Sequence, residues 1–284
     1  MREIREDGIC AQLYDAAASV GRPAIVVFDG SGGGYPQDER AMAALAAAGY
    51  PTLAVAYFRN RRGRPEGVPR VLSEIPVEYG IRCSEWANDH LGGKANGVVV
   101  IGQSRGSELA LLVATRCTGL AGAVAVSPSD AVWQSNTFIS KAKSAWSENG
   151  RALPYRRFAI MPGRWPVEAE ISASYRADVP EATIPVERID CPILLLSSRD
   201  DRIWPSAKMA DAIANRMALH GRHAQNLQFD NASHILLGFG DAPVRVGIGP
   251  FGLKLGGSPE GTRVARDAGW NALLGFLQEI EASR

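Results

Sequence analysis

The 284 residues are enough to bury a large core, and suit one domain with insertions or two small ones. Apolar residues make up 46% and charged residues 21%, an ordinary globular balance that argues against a disordered or fibrous chain. The net charge of +1 gives no overall field toward nucleic acid or an anionic membrane, so neither is expected as a partner.

The N-terminal segment MREIREDG is charged and has no apolar stretch behind it, unlike a secretory signal. The longest apolar runs, such as Ala41–Ala48 and Val98–Ile101, are too short to span a bilayer. Cys10, Cys83, Cys117 and Cys191 lie far apart and read as reduced, mostly buried thiols of a cytoplasmic protein. No Cys/His cluster has metal-ligand spacing, so no metal or other cofactor is expected.

In chain order, residues 2–5 and 9–14 read as a hairpin turned at Asp7-Gly8. Ala24–Phe28 is a buried strand, followed by the loop Asp29-Gly30-Ser31-Gly32-Gly33-Gly34. Residues 37–48 are Ala-rich and helical, ending at Gly49, and Thr52–Tyr57 is the next strand. Residues 78–91 carry Tyr79, Cys83, Trp86, Ala87 and Leu91 at helical spacing. Gly97–Ile101 is an apolar strand, Ser107–Cys117 a helix and Gly122–Val126 a strand. Beyond a long irregular stretch, 192–196 is a strand, 206–219 a helix, 226–229 a strand and 261–281 a closing helix.

Strands apolar on both faces, alternating with helices, predict a mainly parallel sheet of about eight strands with helices on both faces and an antiparallel edge. The chain reads as a single domain over 1–284, with neither repeat nor low-complexity linker. Residues 129–187 break the alternation and hold no clean strand; they read as a cap or lid between the sixth and seventh strands. A disordered insertion is the alternative, opposed by Trp133, Trp146, Tyr155, Phe158 and Trp165, which need burial.

The strand 97–101 runs directly into Gly102-Gln103-Ser104-Arg105-Gly106, with a helix behind it. Strand, tight turn and helix in that order form the setting of a nucleophile elbow, where flanking glycines avoid clashes and the helix N-terminus favours negative charge. Such a serine needs a base and a group to orient it, and in an α/β-hydrolase fold both follow it in the chain. His220 and His223 sit in a polar helix end; His234 follows the last strand, on the side where active-site loops lie, and is the expected base. Asp200 and Asp201 follow the seventh strand; Asp201, four residues before Pro205, is the expected acid, with Asp200 as its rival.

Two backbone N–H groups are needed for the oxyanion: that of Arg105, and one from the Gly-rich loop, Ser31 or Gly32. A phosphate-binding reading of that loop lacks both a following Lys-Ser/Thr and dinucleotide spacing. Arg59, Arg61, Arg62, Arg64 and Arg70 could meet phosphates or form a solvated basic loop. Trp133 and Trp204 are expected substrate contacts.

These motifs resemble the C-terminal catalytic domain shared by acyl-CoA thioester hydrolases and bile acid-CoA:amino acid N-acyltransferase. The likeness is carried by Phe28–Gly34 with Glu39-Arg40-Ala41 and Ala54–Phe58, by Gly102–Leu111 with its Arg105 and Glu108, by Ile184–Glu187 through Cys191–Leu194 to Asp200–Ser206, and by Ala232-Ser233-His234 with Trp270. The resemblance implies an α/β-hydrolase fold, a Ser104-His234-Asp201 triad and an acyl thioester substrate, bound to CoA or a carrier protein. Serine, where the amino-acid transferase has cysteine, points to hydrolysis. The N-terminal β-sandwich of two-domain family members is not expected within these residues, and Ser197-Ser198-Arg199 departs from the family's Gly-rich turn. A carboxylesterase or dienelactone-type hydrolase, and an acyltransferase to an amine or alcohol, are the competing readings.

Overall fold

The structure is a computed structural model and describes residues 1–17, 21–92, 96–135, 142–158, 179–247 and 253–283. Its main sheet has eight strands: β1 (Arg2–Ile4), β2 (Ala11–Tyr14), β3 (Ala24–Phe28), β4 (Thr52–Val55), β5 (Val98–Gln103), β6 (Gly122–Val126), β7 (Ile193–Ser198) and β8 (Ala224–Phe229). Their spatial order is β1-β2-β4-β3-β5-β6-β7-β8. The two pairings made by β2 are antiparallel; the rest of the sheet, from β4 to β8, is parallel.

Among the described residues, five α-helices cover the sheet: α1 (Glu39–Ala47), α2 (Val77–His90), α3 (Arg105–Ala114), α4 (Ser206–Leu219) and α5 (Pro259–Ala282). Alternate strand residues face opposite ways. Val26, Phe28 and Val100 therefore pack with α2, α3 and α4 on one face, through residues such as Cys83, Leu109 and Ile213. Ile25, Val27, Val99 and Ile101 pack with α1 and α5 on the other, through Met42, Leu45, Phe276 and Leu277. Every residue of β3, β4, β5, β6 and β7 is buried. At roughly 1.5–3 kcal/mol for each large aliphatic side chain buried, a parallel sheet of this composition is stable only when covered on both sides.

The sequence expectations hold for the strand Gly122–Val126 and the helix Ser206–Leu219 to the residue. Elsewhere the ends move. The helix expected from Ser107 begins at Arg105, directly after Ser104. The seventh strand continues to Ser198, because the Ser197 and Ser198 side chains are buried and Ser198 Oγ donates to Ala232 O at 2.7 Å.

Between β6 and β7 the described residues add no strand to the main sheet. Contrary to the expectation of no clean strand there, Trp146–Glu148 and Arg151–Ala152 form a small hairpin, and Trp146–Glu148 also pairs in parallel with Ile75–Pro76. Its turn residues Asn149 and Gly150 have φ of 50° and 71°, the Asn-Gly signature of a two-residue hairpin turn. Trp133, Trp146 and Phe158 are buried as expected and Tyr155 is half-buried; Trp165 lies outside the described residues.

Candidate active site

Ser104 stands between β5 and α3 with φ 55° and ψ −119°. A non-glycine residue in this region costs on the order of 1–3 kcal/mol and persists only where its surroundings enforce it. Here the flanking glycines do so. A Cβ on Gly102 would lie 2.1 Å from Gly106 O, and one on Gly106 would lie 2.1 Å from Phe28 O, so the turn closes against β3 only without those side chains.

Opposite Ser104, the loop after β8 brings in His234, whose Nε2 is 2.7 Å from Ser104 Oγ. The loop after β7 brings in Asp201, whose Oδ2 is 2.7 Å from His234 Nδ1. The other carboxylate oxygen, Oδ1, accepts from the amides of Ile203 at 2.9 Å and Trp204 at 3.3 Å, which fixes the carboxylate plane. Solvent exposure is 6% at Ser104 and His234 and 8% at Asp201. The neighbouring Asp200 turns away and accepts from the Asn231 amide. His220 and His223 are exposed at the end of α4.

The Gly-rich loop after β3 is held by Asp29, which accepts from Gly30 N at 2.7 Å and Gln37 N at 2.9 Å. Gly30, which sequence reasoning did not single out, is the loop residue that closes on the serine: a Cβ there would be 3.2 Å from Ser104 Cβ. Its amide is occupied by Asp29, while the amides of Gly33 and Gly34 are given to Gly30 O and Phe58 O. Among the described residues, the amides of Ser31 and Gly32 have no acceptor within the chain, nor has the first helical amide, Arg105 N. Gln103 joins the two loops. Its Oε1 accepts from Leu236 N at 3.1 Å and Leu237 N at 2.7 Å, and its Nε2 lies 3.5 Å from Asp29 Oδ1.

The Arg105 side chain points away from this centre into the protein. Its Nη1 pairs with Glu108 Oε1 at 2.6 Å and its Nη2 donates to Gln134 O at 2.8 Å. Glu108 Oε2 in turn accepts from Trp133 N at 3.1 Å and Trp146 Nε1 at 2.8 Å. Burial pushes the Glu108 carboxyl up to about 7, against the pull of Arg105 and the two tryptophan donors. Burial also lowers the pKa of the Arg105 guanidinium.

Trp133 and Trp204, expected as substrate contacts, are 0% and 1% exposed and packed within the protein instead. Their rings stack at a centroid distance of 6.5 Å, Trp133 also stacks on Phe158, and Trp204 meets the His234 imidazole edge-on at 5.5 Å. Trp204 thus packs against the imidazole, and Trp133 packs against Trp204. Arg59, also expected at the substrate, directs its Nε to Val68 O at 3.0 Å and so holds its own loop, whereas Arg61 is exposed. A separate cavity of about 510 Å³, lined by Met1, Tyr14, Arg22 and Ala46–Gly49, lies at the opposite ends of the strands and takes no part in this centre. Among the described residues no cluster of His, Cys, Asp and Glu could hold a metal ion, and no helix is long and apolar enough to cross a membrane. All four cysteines are free.

The fold is shared with solved structures. A puromycin-hydrolyzing peptidase of Mycobacterium tuberculosis superposes over 98% of this chain and 39% of its own, with a TM-score of 0.62 and 16% identity. An esterase of Thermogutta terrifontis superposes over 98% of this chain and 92% of its own, with a TM-score of 0.57 and 17% identity. Likeness at that identity establishes an α/β-hydrolase fold and nothing finer. In sequence, the chain is 25% identical to mouse (Mus musculus) mitochondrial acyl-coenzyme A thioesterase 2, over 99% of this chain and 60% of that protein. It is also 25% identical to rat (Rattus norvegicus) acyl-coenzyme A thioesterase 1, over 97% of this chain and 64% of that protein. The chain thus spans somewhat over half the length of these relatives. Residues 75–281 match the family described as BAAT / acyl-CoA thioester hydrolase C terminal, a stretch that takes in Ser104, Asp201 and His234, and the chain belongs to that family.

Proposed function

We propose that this protein is a serine hydrolase of acyl thioesters, with acyl-CoA as the favoured substrate class. The observation that carries the reading is the hydrogen-bonded series Ser104 Oγ, His234 Nε2, His234 Nδ1 and Asp201 Oδ2, with 2.7 Å at each of its two contacts. In this reading Ser104 attacks the acyl carbonyl as His234 takes its proton, and Asp201 holds the imidazole tautomer and stabilises the imidazolium. The amide of Arg105 and that of Ser31 or Gly32 receive the oxyanion, each donor lowering the barrier by roughly 3–4 kcal/mol. The thiolate leaves readily and the proton held by His234 passes to it or to solvent, which restores the neutral imidazole. Water, activated by His234, then releases the acid from Ser104.

Residues 129–187, of which 136–141 and 159–178 lie outside the described residues, are assigned to a cap within a single domain, a role supported by the bonds that join Arg105 and Glu108 to Trp133, Gln134 and Trp146. The exposed Arg61 is the better placed arginine for CoA phosphates, since Arg59 is engaged with Val68. Free cysteines support a cytoplasmic setting, although one relative is named as mitochondrial and another, from mouse, as peroxisomal.

The test is turnover of an acyl-CoA series, with release of free CoA and acid as readout, in wild type and Ser104→Ala. Rapid hydrolysis that disappears in the variant is expected. Turnover that survives Ser104→Ala, or no turnover of any thioester, would overturn the reading. Parallel assays with p-nitrophenyl esters, and with glycine or taurine as acceptor, separate an esterase or a transferase by product.

A further inference from the structure

We infer that Ser127 is a positioning residue for His234, acting with Trp204 through a closed hydrogen-bonded circuit; the inference deepens the proposed function and rests on its assignment of His234 as the base. Ser127 is the first residue after β6, fully buried, with φ 46°. Left-handed backbone is uncommon for a residue with a Cβ and needs support from its surroundings.

That support comes from bonds to β7 and to the loops that follow β7 and β8. Ser127 N donates to Leu196 O of β7 at 2.7 Å. Its Oγ donates to the carbonyl of His234 itself at 2.6 Å. Its carbonyl accepts the indole N–H of Trp204 at 3.1 Å. The Trp204 backbone amide donates to Asp201 Oδ1 at 3.3 Å, and Asp201 Oδ2 meets His234 Nδ1 at 2.7 Å. The path therefore returns to its start: His234, Asp201, Trp204, Ser127, His234. The Trp204 ring adds an edge contact to the imidazole at 79° between planes.

The circuit fixes both ends of the histidine. Asp201 holds the ring, and Ser127 holds the backbone from which the ring hangs. His234 N is tied separately to Leu255 O at 2.8 Å, so Ser127 sets the remaining peptide group. A general base works only at hydrogen-bond distance from the proton it takes, and small misplacements are costly. Without Ser127 Oγ, the buried His234 carbonyl loses this donor, and the loop would turn to find another.

The experiment compares wild type with Ser127→Ala, which removes only the hydroxyl, with Trp204→Phe, which keeps a ring but loses the indole N–H, and with the double variant. With an acyl thioester, each single variant is expected to lower kcat by roughly ten- to a hundredfold while KM stays within about twofold. Because both break one circuit, the double variant is expected to cost no more than the worse single variant. A second readout needs no turnover: the low-field proton resonance of His234 Nδ1, expected in wild type and lost or broadened in both singles. Unchanged kcat and an unchanged resonance in Ser127→Ala would overturn the inference, as would losses that simply multiply. Should wild type prove inactive, the proposed function fails while the resonance still decides the role of Ser127. Should Ser127→Ala not fold, Ser127→Gly, which suits the backbone, and Trp204→Phe carry the same readouts.

Discussion

Arg105 and Glu108, one turn apart on α3, form an ion pair from which solvent is almost excluded, with side chains 3% and 0% exposed. Among the described residues, the further side-chain bonds of this pair reach the segment after β6, at Trp133, Gln134 and Trp146. The helix that begins directly after Ser104 is thereby fastened to the insertion. The residue whose amide is proposed to hold the oxyanion also anchors the proposed cap.

Burial pushes both partners toward their neutral forms, which means desolvation opposes the attraction between them. Glu108→Ala leaves a guanidinium buried without its counter-charge and is expected to cost about 3–5 kcal/mol in chemical denaturation. The double replacement Arg105→Met with Glu108→Leu is expected to recover much of that loss. It should also retain fluorophosphonate labelling at Ser104, because the proposed oxyanion donor is backbone. A double variant no more stable than Glu108→Ala would refute this account of the pair.

The two adjacent aspartates separate cleanly. Asp201→Asn is expected to lower kcat by roughly 10⁴-fold with little change in Tm, since the amide favours the wrong imidazole tautomer. Asp200→Asn disturbs only the bond to Asn231 N, and kcat is expected to stay within about threefold of wild type. Steady-state kinetics on the two variants decides; comparable losses would contradict the geometry.

Gly106→Ala is expected to be among the most damaging single-methyl additions in the chain, because the new Cβ would lie 2.1 Å from Phe28 O and 2.5 Å from Asp29 O, both backbone. Backbone of the central strand β3 cannot yield cheaply, so a loss of more than about 2 kcal/mol, or no folded protein, is expected. Gly275→Ala, on α5 with nothing within 4 Å of the new Cβ, is the control and is expected to be neutral or slightly stabilising. Thermal melts of the two variants compare them directly.

Arg116, just past α3, pairs with Glu148 in the insertion hairpin. The hydrogen bond from Arg116 holds the Glu148 carboxyl below the usual carboxylate range, with burial opposing. A depressed carboxylate adds stability above its unfolded pKa and loses it as pH falls through its folded one. Glu148→Gln is therefore expected to cost up to about 1 kcal/mol near neutral pH, and the difference from wild type should shrink as pH falls below the ordinary carboxylate range of about 4 and vanish once it is below the lowered folded value. Urea denaturation across that range checks the sign; a gap that widened on acidification would reverse it.

Much of the fold was legible in the chain. Runs such as Ala24–Phe28 and Gly122–Val126 are apolar on both faces, which forces a covered parallel sheet, and both lie where expected. Element ends were less legible. Arg105 and Gly106 read as loop because glycine weakens helices, yet packing against β3 starts α3 at once. Ser197 and Ser198 read as turn, yet hydrogen bonds across the sheet end keep them in β7. The hairpin at Asn149-Gly150 had its turn signal in the sequence, but strands of three and two residues gave no periodicity to accompany it.

The sequence by itself determined the layered fold, the serine turn, and the shortlist of His234 with Asp200 or Asp201, because these follow from local patterning and chain order. Only the tertiary structure decided which aspartate meets the histidine, which loop amides remain free beside Ser104, and that Trp133 and Trp204 are packed within the protein. It also brought Ser127 to the His234 carbonyl. The physical reason is that each depends on distances between segments far apart in the chain, 130 residues for Ser104 and His234 and 107 for Ser127 and His234. Such distances are set by how β6, β7 and β8 stack side by side, which no local pattern encodes.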